Sequence, residues 1–353
     1  MTRPDNNEQG KSIILATDYL ERQRLFNRYV RGTLEPLQSS FNADQLETWI
    51  IRLLAQVKQV HKDKVLQLLL NTFGGYLANR QHPGWQSEME NHLRALLAEM
   101  IRLKLVEQEL DNVQLTLPGR ACGESSLSFR SAMRFVDLVQ SVGAQGITAE
   151  QLMALVQALP ESDSNYTPMF KKGNKETVRP REAASRFGMP VTNALQKFVD
   201  DYFAYYARCK RASILWDWIN GVSIEKIEGA YTANPFQGKI GYGDIRKFAD
   251  STRFHLSAAH RLTNILFVSG GPNEETIDRL LRQLEMGLPA QALGLVDIPA
   301  DLTRGDYLAL LSAGIQNPDQ VWLRSDEQLS QILGPLVGRL LSAKRPKSQV
   351  QSA

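Results

Sequence analysis

Apolar residues recur at three- and four-residue spacing along almost the whole chain, and this period restricts the fold more than any other feature of the sequence. Leu46, Trp49, Ile50, Leu53, Leu54 and Val57 set the pattern for a helix over 44–58. The same reading predicts helices over about 62–79, 87–104, 126–160, 190–221, 223–232, 243–269 and 273–287. Only LVEQELDNVQLTL (105–117) departs clearly, with a partly alternating pattern and a turn at Asp111-Asn112, so a short β-hairpin is expected there. Three helices followed by a hairpin is the order of a winged helix, a unit that in some proteins binds nucleic acid and in others only packs. The fold expected is mainly α.

The polar stretch ESDSNYTPMFKKGNKETVRPRE (161–182) reads as a long surface loop. Lys171, Lys172, Lys175, Arg179 and Arg181 make it basic, and they are expected either to be solvated or to meet phosphates. Phe203, Tyr205, Tyr206, Trp216 and Trp218 follow at a spacing that suits a core better than a stacking platform. From Leu293 the texture changes to a small helical hairpin, with a turn at Ile298-Pro299 and a break at Gly314. The tail beyond Ser342 carries Lys344, Arg345 and Lys347 and is expected to be disordered.

Several chemistries find no residues to carry them. Gly10-Lys11-Ser12 imitates the end of a phosphate loop, but the glycine required five residues earlier is Asp5, and that glycine lets the backbone wrap the phosphates. No DExH tetrad and no Gly-x-Ser-x-Gly elbow occur in the 353 residues. His61, His82, His92, His255 and His260 show no metal-ligand spacing, and Cys122 and Cys209 are too isolated for a disulfide framework or a zinc site. A self-contained NTPase or hydrolase is therefore not expected. The formal net charge of +3 and pI near 8.7 permit nucleic-acid contact without requiring it. With no apolar signal core at the N-terminus and no long apolar run, a soluble cytoplasmic protein away from membranes is expected.

Four stretches resemble the region that follows the motor domains in Ski-like DExH helicases, especially the HelQ-type DNA repair helicases of archaea and animals. MTRPDNNEQGKSIILA is similar to the end of helicase motif VI and the strand after it, with Thr2-Arg3-Pro4, Gly10 and Ile13-Ile14-Leu15 as the matching positions. RYVRGTLEPLQSSF resembles the exit from the motor, where a Glu-Pro-Leu-x-Ser string leads into the winged helix. LTLPGRACGESSLSFRSA resembles the junction after the wing. ILWDWINGVSIEKIEGAY, followed by GYGDIRKFADSTRFHLSAAHRL, resembles the family's long "ratchet" helix and its lead-in.

This resemblance implies a remnant of the second RecA-like domain over 1–36, a winged helix over 37–122, a helical ratchet bundle over 123–288, a helix-hairpin-helix over 289–336 and a disordered basic tail over 337–353. It implies that the chain starts inside motif VI, lacks its motor and is inactive alone. ATP and Mg would serve the parent family, with no cofactor for this chain. Arg3 falls at the motif VI arginine that faces ATP. Single-stranded or branched DNA is the implied partner, with RNA left open, together with a motor domain or partner protein. An alternative is a protein-interaction scaffold or regulatory subunit of a larger complex.

On the ratchet segment, Arg246, Arg253 and His260 stand seven apart and are expected on nearly one face, with Arg261 and Phe254 beside it. Arg246 matches the family's arginine after Gly-Asp, and Phe254 best matches its stacking aromatic, usually tryptophan. The competing expectation puts Phe254 in the core and leaves a solvated basic face. In the terminal hairpin, Arg304 is the expected phosphate contact.

Overall fold

Side-chain oxygens mark where many of the helices begin. Thr116, Ser128, Asp201, Ser223 and Asn273 each accept from a first-turn N–H, and Thr148, Thr303 and Ser325 form reciprocal boxes with Gln151, Asp306 and Gln328. Each such cap stabilises its helix by about 1 kcal/mol. The structure is a computed structural model that describes residues 13–32, 39, 45–143, 146–170, 172, 175–234, 236–267 and 270–345. It is mainly helical, with one three-stranded antiparallel sheet.

The first part comprises α1 (Tyr19–Phe26), α2 (Leu46–Ala55), β1 (Val60–His61), α3 (Val65–Leu70), α4 (Phe73–Gln81), α5 (Trp85–Arg102), β2 (Val106–Glu109) and β3 (Asn112–Leu115). The sheet order is β1-β3-β2, with Val60 opposite Val113 and Val106 opposite Leu115. The bundle follows as α6 (Leu117–Glu124), α7 (Phe129–Val142), α8 (Ala149–Val156), α9 (Pro160–Asp163), α10 (Arg179–Phe187), α11 (Met189–Gln196), α12 (Tyr202–Ile219), α13 (Ile224–Tyr231), α14 (Tyr242–Leu266) and α15 (Glu274–Met286). A 3-10 turn over Ala290–Asp297 leads to α16 (Arg304–Ser312), α17 (Pro318–Trp322), α18 (Asp326–Leu333) and α19 (Pro335–Ser342).

One continuous core runs from Leu46 to Leu284 and so joins the sheet-bearing part to the bundle, while a second, from Leu288 to Leu341, belongs to the C-terminal helices. α14 crosses the centre of the first core and packs on α6, α7, α8, α12 and α15. α1 and the π-helical turn after it bury none of their residues.

Several sequence expectations need correction. The helix expected over 62–79 is interrupted: Thr72 caps α4, and Gly75 passes so near the Leu69 carbonyl that a Cβ would collide with it. The helix expected over 126–160 breaks at Gly143, whose φ of +97° is costly for any other residue. The one expected over 190–221 breaks where Phe198 takes φ +59° and Asp201 caps α12. The hairpin forms, but it turns at Leu110-Asp111, and Asn112 lies in β3. Ile13-Ile14-Leu15, expected as a remnant strand, is irregular, for a strand needs a neighbour to bond and none is present there among the described residues. Arg3, Gly10 and residues 346–353 of the tail lie outside the described residues.

The segment expected as a basic surface loop is instead pinned from beneath. α12 carries Arg208, Lys210 and Arg211, all buried, on the turn that faces it. Lys210 donates to the Pro168 carbonyl at 2.6 Å and to the buried Glu176 carboxylate at 2.8 Å, which also accepts from Arg179. Arg211 holds Gln157, Thr167 and Asp163, and Arg208 holds Asp163 and the carbonyls of Leu195 and Lys197. Burial pushes the Lys210 ammonium below its ordinary value and the Arg211 guanidinium down to about 10. Arg179 is thus a structural cation, and Lys175 donates to the Ala233 carbonyl, while Lys172 and Arg181 are exposed and Lys171 is outside the described residues.

Candidate nucleic-acid interface

The apolar residues of α14 fix which of its side chains reach solvent. Ile245, Phe248, Ala249, Thr252, Leu256 and Ala259 are buried. At 3.6 residues per turn, Phe254 lies roughly 180° from Ile245, with Lys247 and Arg261 within about 20° of it. Those residues are exposed, Phe254 to 73%, in a stripe that includes Gly243, Asp250 and Asn264. Arg246 and Arg253 stand roughly 80–100° from Ile245 and are half-buried on the flank of the stripe. His260, only about 60° from Ile245, turns inward: it is buried, and its Nε2 donates to the Pro272 carbonyl at 2.7 Å.

The expected grouping of Arg246, Arg253 and His260 therefore separates, with two cations at the edge and an imidazole tying α14 to the turn before α15. The alternative of a buried Phe254 is overturned by its exposure. Sequence reasoning placed Arg261 beside the stripe and missed Lys247. The signal was available, because the apolar register from Ile245 points both residues away from the core.

Phe254 does not stand alone. Its ring meets the buried His255 edge-on, with centroids 5.0 Å apart at 86°. Beyond it, Ser257, Arg261 and Asn264 line a cleft of about 490 Å³ between α14, α6 and α15, with Glu124, Glu274 and Asp278 on its other walls. Arg253 bonds Glu285 of α15 at 2.8 Å, and Arg246 donates to the Glu285 carbonyl at 2.5 Å. At the helix start, Asp244 reaches back to accept from Gly241 N–H at 2.9 Å.

Burial pushes the His255 imidazole below its ordinary value, against a smaller opposing pull from Glu161. Its Nδ1 is shielded and has no hydrogen-bond partner among the described residues. The folded chain then binds fewer protons at this ring than the unfolded chain does. The resulting stability is complete above the unfolded pKa of about 6.5 and is lost as pH falls through the lower folded value. Melting temperature should fall as pH drops below about 6.5, and His255→Phe should flatten that dependence. An unchanged slope in the variant would contradict this account.

Arg304 is half-buried, and its guanidinium is largely engaged within the fold. Its plane lies over Trp218 at 4.3 Å, and it donates to the carbonyls of Gly287, Val222 and Trp218. Trp218 donates in turn to the Leu284 carbonyl at 2.8 Å. The last carbonyls of α15 are thus satisfied by Trp218, Arg246 and Arg304, a cationic C-cap that also suits the helix dipole. Arg304, expected as a phosphate contact, is seen here to join the C-terminal helices to the bundle.

Among the described residues no group of His, Cys, Asp and Glu could hold a metal ion, and no helix is long and apolar enough to cross a membrane. Both free cysteines are buried, with thiols pushed up to about 12.

The chain is similar along most of its length to ATP-dependent DNA helicases. An "ATP-dependent DNA helicase Hel308" of Caldivirga maquilingensis is 22% identical over 341 residues, which covers 94% of this chain and 43% of that protein. The protein of the same name from Pyrobaculum calidifontis is 23% identical over 83% of this chain and 38% of its own length. "Putative helicase 7" of a Sulfolobus islandicus filamentous virus is 21% identical over 96% of this chain and 45% of its own. The chain spans less than half the length of these curated relatives. The similarity fits the C-terminal half of a Hel308-type helicase, as the four motif stretches imply. No protein-family model matches the chain.

Proposed function

We propose that this chain is the nucleic-acid-gripping C-terminal part of an ATP-dependent DNA helicase, holding single-stranded DNA along α14 while a motor elsewhere hydrolyses ATP. The observation that carries the reading is the large aromatic ring of Phe254, 73% exposed at the middle of a 25-residue helix and aligned with Lys247 and Arg261. A seven-residue step spans about 10.5 Å, enough to take the stripe past successive nucleotides. Phe254 would stack on a base, while Lys247, Arg261, Arg253 and Arg246 would meet phosphates. Nothing in the stripe has the donor and acceptor pattern of base-edge readout, so binding would follow backbone and shape and weaken with salt.

In this reading residues 37–122 are a winged helix. The order α2, β1, α3–α4, α5, β2, β3 and the β1-β3-β2 sheet support that assignment. Residues 123–288 are the ratchet bundle, and residues 289–336, which supply most of the second core, are the helix-hairpin-helix ending. Residues 1–36 would complete a RecA-like domain of the motor, where Arg3 would face ATP with its Mg. DNA repair in the cytoplasm is the setting this implies.

The test is fluorescence anisotropy with a labelled single-stranded oligonucleotide at several salt concentrations. Phe254→Ala should weaken binding by about 1–3 kcal/mol, or roughly 5- to 150-fold. Arg246→Ala with Arg253→Ala should weaken it further and make it less salt-dependent. Absence of salt-dependent binding by the intact chain, or full affinity in both variants, would sink the proposal.

A further inference from the structure

Two acidic side chains lie against the arginines on the flank of α14, and their placement is hard to explain by stability alone. Glu285 sits in the last turn of α15, where a carboxylate is disfavoured by the helix dipole. Its Oε2 nevertheless lies 2.8 Å from Arg253 Nη2, while its backbone carbonyl takes Arg246 Nη1 at 2.5 Å. Asp250 faces both guanidiniums at longer range, 3.6 Å from Arg253 and 3.9 Å from Arg246. The positive charges of Arg246 and Arg253 are thus offset by the negative ones of Asp250 and Glu285. The engagement is incomplete, since Arg253 Nε is shielded from solvent and has no acceptor among the described residues.

We infer that Glu285 occupies, in the free chain, an anion subsite centred on Arg253, and that its carboxylate stands in for a phosphodiester of the bound strand. A carboxylate and a phosphate offer a guanidinium the same paired oxygen acceptors at the same distance. Glu285 is half-exposed on a long, flexible side chain, so it swings to solvent when a phosphate arrives. The exchange of one anion for another weakens the hold on each phosphate, as a helix that must release the strand repeatedly requires. This inference rests on the reading of α14 as a nucleic-acid face, but it assigns a distinct role to a residue of α15.

The experiment uses the full chain, a labelled oligo-dT single strand and a salt titration, with Glu285→Gln as the near-isosteric variant. Glu285→Gln should tighten binding about tenfold at low salt, the worth of one charge-assisted contact. The slope of log K against log salt should steepen by about 0.7, the value for one more phosphate neutralised on a single strand. Asp250→Asn, at longer range, should act in the same direction more weakly, and it provides a second reading if Glu285→Gln lowers the melting temperature. Binding gained only in the variants also supports the subsite. If wild type binds in an Arg253-dependent way while both variants leave affinity and slope unchanged, the inference is overturned and the gripping function stands. If neither wild type nor variants bind, both are overturned.

Discussion

Glu176→Ala should cost the fold about 3–5 kcal/mol, the loss seen when one partner of a buried charge pair is removed. Glu176 is 1% exposed, and its carboxylate is shared by Lys210 at 2.8 Å and Arg179 at 3.1 Å, both buried. It also accepts from the Phe170 N–H, so its removal strands two cations and a backbone donor together. Lys210 would keep the Pro168 carbonyl, and Arg179 would keep Glu182, the Ala230 carbonyl and the face of the Tyr231 ring. The measurement is the midpoint of chemical denaturation with its slope. Glu176→Gln, which keeps the acceptor and drops the charge, should fall between wild type and Ala. A loss below about 1 kcal/mol for Glu176→Ala would show that Pro168 and Phe170 are held by something other than this cluster.

Gly287→Ala should be nearly as damaging for a different reason. Gly287 takes φ +67° at the end of α15, and a Cβ there would fall on the Trp218 ring and within 2.6 Å of Arg304 Nε. The left-handed backbone alone costs a non-glycine residue roughly 1–2 kcal/mol, before the clash is relieved. Relief requires the Arg304–Trp218 stack to open, which would expose the indole and free the carbonyls of Val222 and Gly287. A red-shifted tryptophan emission together with a lower unfolding midpoint is expected. Because Arg246 caps the neighbouring Glu285 carbonyl, single-strand affinity should change as well. Unaltered emission and stability would mean that the junction between α15 and α16 tolerates a second geometry.

Much of this architecture was legible in the residues. The three-and-four spacing of Leu46, Ile50 and Leu54, and of Leu93, Leu97 and Met100, predicts helices that form and bury those side chains. The alternation at 105–117 predicts a hairpin, and its buried Val106 and Val113 lie on the core side. Breaks within the apolar runs were harder to read. Gly143 and Gly75 stop or redirect helices through a backbone conformation or a close approach that periodicity does not encode. Phe198 at φ +59° carries no compositional mark at all.

For α14 the local sequence determined the outward face. Ile245, Phe248, Thr252, Leu256 and Ala259 must point to the core, so Lys247, Phe254 and Arg261 must point away, since the helix turns by a fixed angle per residue. Which cations stay available to an anion was decided only by the tertiary structure. Arg208, Lys210 and Arg211 look like surface charges in the sequence, yet each is enclosed by carboxylates and carbonyls supplied from distant segments. A guanidinium or ammonium can be buried only where such partners converge, and their convergence is a property of the packed chain.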